Sequence, residues 1–129
     1  MSNYKALKEA AKELQHQCHS QARDAGWWHD ISTGKPVTDN PLAFSNKLML
    51  SVSELSEAME ADRKGLMDDK LPHMDGRTVE LADAVIRIFD MAGGFGLDLP
   101  RAIAEKMEYN ASRHDHKQEV RQGIGGKAY

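Results

Sequence analysis

The chain has 129 residues, 40% of them hydrophobic and 29% charged, with a formal net charge of −3. That size and balance predict one globular domain able to bury roughly two thirds of its unfolded surface, and the mild acidity excludes a general attraction to nucleic acid. A lone cysteine, Cys18, excludes an internal disulfide and agrees with a reducing compartment. No apolar run nears the ~18 residues needed to span a bilayer, and the polar start Met1-Ser2-Asn3-Tyr4-Lys5 does not read as a signal peptide. The expected location is therefore the cytoplasm, with no membrane partner.

In chain order, Tyr4, Leu7, Ala11, Leu14, Cys18 and Ala22 recur at steps of three and four, which predicts an amphipathic helix over about 3–25 that Gly26 ends. From Asp30 to Pro41 the turn-forming residues Gly34, Pro36, Asp39, Asn40 and Pro41 predict a loop. A second helix runs from about Leu42 to Lys64, with Leu48, Val52, Leu55 and Met59 as its apolar stripe and Gly65 as its stop. The segment Leu66 to Gly76 has no clean period and contains Pro72, so it reads as a second loop.

The third helix, about Arg77 to Gly93, is apolar nearly all round, which places it centrally; its one polar line is Glu80, Asp83, Arg87 and Asp90. After Gly93-Gly94-Phe95-Gly96, Asp98 can cap a fourth helix with Pro100 in its first turn, running to about His114. Leu99, Ile103 and Met107 form one side of that helix and Lys106, Asn110 and Arg113 another. The tail from Gln118 to Tyr129 is glycine-rich and reads as irregular. The fold class is all-α, a bundle of about four main helices with a helical core over about 3–115 and no strand signal.

Chemistry concentrates in two acidic pairs, Glu54-Leu55-Ser56-Glu57 and Glu80-Leu81-Ala82-Asp83. A three-residue step sets both members of a pair on one helix face, and two such helices side by side converge four carboxylates on one point. Carboxylates on core-forming helices require cations. Oxygen ligands suit Mg²⁺, with Mn²⁺ as a substitute, whereas zinc and iron sites recruit His or Cys and a ferritin-like bundle uses Glu-x-x-His. Simple solvation of these faces is the competing reading, and the third helix leaves little surface for it. His16-Gln17-Cys18-His19 has metal-ligand types, but neighbouring helical positions point apart.

Lys47, the Glu-x-x-Glu pair, a 22-residue gap, Glu-x-x-Asp, and then Lys106, Asn110 and Arg113 form an ordered set that resembles the MazG-like all-α nucleotide pyrophosphohydrolases over about residues 40–115. The resemblance implies that Glu54, Glu57, Glu80 and Asp83 bind Mg²⁺; on chemical grounds a carboxylate not saturated by metal, Glu54 or Glu57, is expected to take the proton from water. It implies that nucleoside triphosphates are cleaved to monophosphate and pyrophosphate. Lys47, Lys106, Asn110 and Arg113 match its phosphate- and sugar-binding positions, and its members assemble as homodimers or homotetramers.

Trp27 and Trp28 fit two roles, a hydrophobic clamp over the end of the first helix or a platform that stacks a substrate base. Arg87 and Asp90 read as structural, pairing with each other or with the acidic set. Three functions follow: nucleotide-pool pyrophosphohydrolysis; a phosphoribosyl-ATP pyrophosphohydrolase or dimeric dUTPase of the same superfamily; and a non-enzymatic helical module whose acid stripe binds a basic partner.

Overall fold

The computed structural model describes residues 4–129. Among them lie five α-helices, α1 (Lys5–Asp24), α2 (Ala43–Lys64), α3 (Gly76–Gly94), α4 (Leu99–Ser112) and α5 (Gln118–Arg121), with single 3₁₀ turns at Val37–Asp39 and His114–His116. The described residues contain no strand, only isolated bridges between His29 and Pro36 and between Met67 and Asp75. The chain is all-α, as its periodicity predicts. The expected start of the first helix near Asn3 lies outside the described residues. No described helix is long and apolar enough to cross a membrane.

The helix ends follow local chemistry. Gly65 takes the left-handed conformation, φ 63°, and its N–H bonds to the carbonyls of Ala61 and Asp62, which stops α2 where a residue with a Cβ would be strained. Asp75 accepts the N–H of Arg77 at the start of α3, and Asp98 accepts that of Arg101 at the start of α4 with Pro100 in the first turn. Two boundaries differ from expectation. Helix α4 ends at Ser112, so Arg113 is extended backbone beyond it, and of the tail expected to be irregular the first four residues form a short helix, α5, while 122–129 are irregular.

The chain forms two compact units, Leu14–Leu97 and the paired segments Met1–Glu13 and Asp98–Tyr129. In the first, α2 and α3 make an antiparallel hairpin, because Asp62 meets Arg77 at 3.2 Å near the connecting loop and Glu54 meets Arg87 at 2.8 Å further along. Its buried positions are mostly small, Ala43, Ser51, Ala61, Ala84 and Ala92, joined by Phe89, Met91, Cys18 and Trp28. Small residues let the two backbones approach and leave the large apolar side chains pointing outward. Leu55 is 48% exposed and Leu81 52% exposed. The central burial expected of α3 is therefore not met within this chain: its periodicity reports apolar surface that needs cover, and α2 covers only one side.

Trp28 closes the same unit. A Cβ on Gly94 would lie 2.0 Å from the indole, so only glycine admits the ring against α3. In the second unit Ala11, Pro100 and Ala104 are buried, and the tail is tied by ion pairs from Asp115 to Arg113 (2.7 Å) and Lys127 (2.9 Å). Arg121 adds hydrogen bonds to the carbonyls of Lys127 and Ala128 at 2.9 and 2.7 Å.

Candidate metal and phosphate site

One carboxylate oxygen from each of Glu54, Glu57 and Glu80 lies within 4.8 Å of the others, the one such group of ligand-type side chains among the described residues. The i,i+3 step on α2 supplies the first two, and the antiparallel register of α3 brings Glu80 opposite them. Asp83, one turn further along α3, is outside this group. It lines the adjoining cavity beside Glu54.

The crowding of like charge is visible in the acid strengths. Burial pushes Glu80 up to about 8, helped by hydrogen bonding and charge repulsion from Glu54 and Glu57. Burial also pushes Glu54 up, but hydrogen bonds from Arg87, Glu80 and Glu57 outweigh it and hold its carboxyl below the usual value. Asp83 is raised by burial and by the charges of Glu54 and Asp68. Oε2 of Glu80 is buried and has no hydrogen-bond partner. An orphaned oxygen between two further carboxylates, with no nitrogen or sulfur donor in the group, is a donor set that fits a hard divalent cation such as Mg²⁺ or Mn²⁺.

Cations stand next to the acids. Arg87 donates Nε–H to Oε1 of Glu54 at 2.8 Å, which makes it a partner of the acidic set and not of Asp90. A cavity of about 670 Å³ carries Lys47, Glu54, Asp83, Arg87 and Asp90 on its wall, with Trp27 at its edge. Burial lowers the Lys47 ammonium pKa and Arg87 lowers it further, against the opposing charge of Asp90. Cys18 also borders the cavity, its thiol pushed up by burial and by Asp90.

The two tryptophans part company. Trp27 is 70% exposed, whereas Trp28 is 6% exposed. Its indole N–H donates to Oδ1 of Asp90 at 2.8 Å, the ring meets His19 and Phe95 edge-on, and the Lys47 ammonium sits 4.2 Å from its centroid. Trp27 is thus the ring of the pair open to a ligand.

The residues expected on the fourth helix belong to the other unit. Lys106 lies over the Tyr109 ring at 4.8 Å, and Oδ1 of Asn110 is buried without a partner. Arg113 does not share their helical face, because it follows the end of α4 and binds Asp115 through two hydrogen bonds of 3.0 and 2.7 Å. Sequence reasoning missed two groups. Asp68 is buried and caps its own loop by accepting the N–H groups of Lys70 and Leu71, an Asx pattern that the run Met67-Asp68-Asp69-Lys70 foreshadows. His19 shares Oδ1 of Asp90 with Trp28, a contact spanning 71 residues that no local pattern announces.

No family model, curated protein or solved structure gives a significant match to this chain.

Proposed function

We propose that this protein is a Mg²⁺-dependent nucleoside triphosphate pyrophosphohydrolase of the MazG-like kind. The observation that carries the reading is the convergence of Glu54, Glu57 and Glu80 within 4.8 Å, beside a cavity that offers Lys47 and Arg87. A triphosphate carries about four negative charges, and attack on it requires that this charge be met and the water aligned. Glu54, Glu57 and Glu80, with Asp83 next to them, would hold the metal, which supplies charge neutralisation and a bound water of lowered pKa.

The remaining work falls to the chain itself. Lys47 and Arg87 face phosphate oxygens from the cavity wall. Glu57 is exposed and has no cationic partner among the described residues, so it is the carboxylate suited to take the proton from water. The water oxygen bonds to phosphorus at the α–β anhydride, the bridging P–O bond breaks, and pyrophosphate leaves with the nucleoside monophosphate as co-product. Trp27 offers a stacking face for the base.

We also propose a homo-oligomer, a dimer or dimer of dimers. The support is the large apolar residues left outward on α2 and α3, Leu48, Val52, Leu55, Leu81, Val85 and Ile88, a contiguous need for cover that a second copy meets. Light scattering at micromolar concentration tests it, and a monomer would contradict it. The activity is tested with Mg²⁺ and the ribo- and deoxynucleoside triphosphates, products being separated by chromatography. Monophosphate with pyrophosphate is expected, whereas diphosphate with inorganic phosphate would overturn the reading.

A further inference from the structure

Lys47 is the cation of the acid-lined cavity that no carboxylate pairs with directly, although the charge of Asp90 acts on it from a distance. Arg87 is hydrogen-bonded to Glu54, but no described carboxylate oxygen lies within ion-pair distance of the Lys47 ammonium. A lysine side chain has four rotatable bonds, so an unpaired one ordinarily samples many positions. Here the ammonium lies 4.2 Å from the centroid of the Trp28 ring. A π face attracts and orients a cation without cancelling its formal charge, whereas a carboxylate partner would compete with any incoming anion.

The ring is itself fixed. Its N–H donates to Oδ1 of Asp90 at 2.8 Å, and the same oxygen receives His19 Nδ1 at 3.1 Å. A carboxylate oxygen only accepts, so Nδ1 of His19 carries its proton. His19 and Phe95 pack edge-on at 5.1 and 5.5 Å, and Gly94 leaves room for the indole that a Cβ would take away. Trp28 is 6% exposed, so it has no free face of the kind a substrate base requires.

We infer that Trp28 and Asp90 are positioning residues for Lys47: Asp90 locks the indole, and the indole holds the lysine ammonium, free of a direct ion pair, at the cavity wall to receive a phosphate oxygen. The role of Lys47 as a phosphate contact rests on the proposed function; the geometry of the relay does not. Asp90 also borders the cavity, but its Oδ1 is taken by the indole and by His19. Trp28 and Asp90 both act through Lys47.

The test joins a spectroscopic readout with a double-mutant cycle. In the full-length wild type, the Cε methylene protons of Lys47 are expected upfield of ordinary lysine values through the indole ring current. Their appearance at the ordinary position would overturn the inference whatever the enzyme does. Lys47→Ala is expected to raise KM for the hydrolysed triphosphate by about 10- to 100-fold, in keeping with loss of a charge-assisted hydrogen bond. Trp28→Phe keeps an aromatic face but loses the N–H, Asp90→Asn keeps an acceptor but loses the charge, and each is expected to raise KM by about 2- to 5-fold with kcat little changed.

In the Lys47→Ala background those increments are expected to vanish, which a purely structural role would not produce. Equal increments in both backgrounds would overturn the inference. Should no triphosphate be hydrolysed, the cycle is read as the Kd for inorganic pyrophosphate in Mg²⁺. Pyrophosphate binding that follows the cycle would then sustain the relay while the proposed reaction fails, and binding indifferent to Lys47 would overturn the relay too.

Discussion

The acidic groups of α2 and α3 and the charged groups around the chain's tail sit in opposite electrostatic situations. Around Asp115, two cations serve one carboxylate, Arg113 at 2.7 Å and Lys127 at 2.9 Å, and Arg121 binds backbone carbonyls. Each of these four charged groups has a local partner, and hydrogen bonds from Arg113 and Lys127 hold the Asp115 carboxyl far below its ordinary value. At the hairpin, three glutamates crowd within 4.8 Å while the one guanidinium bonded among them, Arg87, reaches only Glu54. Self-satisfied ion pairs tie a chain down. Like charges held together at a cost to the apo protein are what the proposed cation would relieve.

The largest expected effect breaks the crowded region. Glu54→Gln and Glu57→Gln should each lower kcat by about 10²-fold or more, since each removes a metal ligand or the proton acceptor. Steady-state rates in saturating Mg²⁺ check this. If either variant retains wild-type kcat, the triad is not the site.

A second prediction uses the pH dependence of apo stability. Glu80 has its pKa raised from 4.5 to about 8 in the folded protein, so between those values the folded state holds a proton that the unfolded chain has released. Its contribution to stability is therefore full below about 4.5 and is lost as pH rises through about 8. Glu54, held below its ordinary value, acts in the other sense and loses its contribution only in acid. In chelator the wild-type melting temperature should fall from pH 5 to pH 8. Glu80→Gln should flatten that slope and melt higher at pH 8, by roughly 3–5 °C for each 1 kcal/mol of repulsion relieved.

The smallest effects should come from the self-satisfied region. Arg113→Ala removes one partner of Asp115 and leaves the other, Lys127 at 2.9 Å. A melting temperature lower by no more than about 3 °C, with kcat and KM within about twofold of wild type, is expected. A rise in KM comparable to that of Lys47→Ala would move Arg113 from the tail's scaffolding to the phosphate site and erase the contrast between the two regions.

Helix positions were legible because their signals are local: Asp75 and Asp98 as caps, Pro100 in a first turn, Gly65 as a left-handed stop. The acidic pairs were legible for the same reason, a fixed step along one helix, and three of the four residues meet. Asp83 borders the triad, in contact with Glu80 but outside the 4.8 Å group, because its offset along α3 depends on how the two helices slide, which no single-helix pattern encodes. The exposure of Leu81 was not legible either. Periodicity tells which face needs cover, and not which chain provides it. The contact of His19 and Trp28 with Asp90 joins segments 71 and 62 residues apart, so it emerges only in the folded chain. Trp27 and Trp28, adjacent and alike in sequence, reach opposite fates because Gly94 makes room for one ring alone.

The central claim, that the glutamate triad is a cation site, is tested most directly by calorimetric titration of Mg²⁺ at pH 7 in buffers of different protonation enthalpy. With Glu80 raised to about 8, most molecules hold a proton that the metal must displace. Saturable binding with release of about one proton per site, lost in Glu80→Gln, is the predicted result. No binding heat with or without a non-hydrolysable nucleotide, or binding that releases no proton and ignores Glu80→Gln, would contradict the claim.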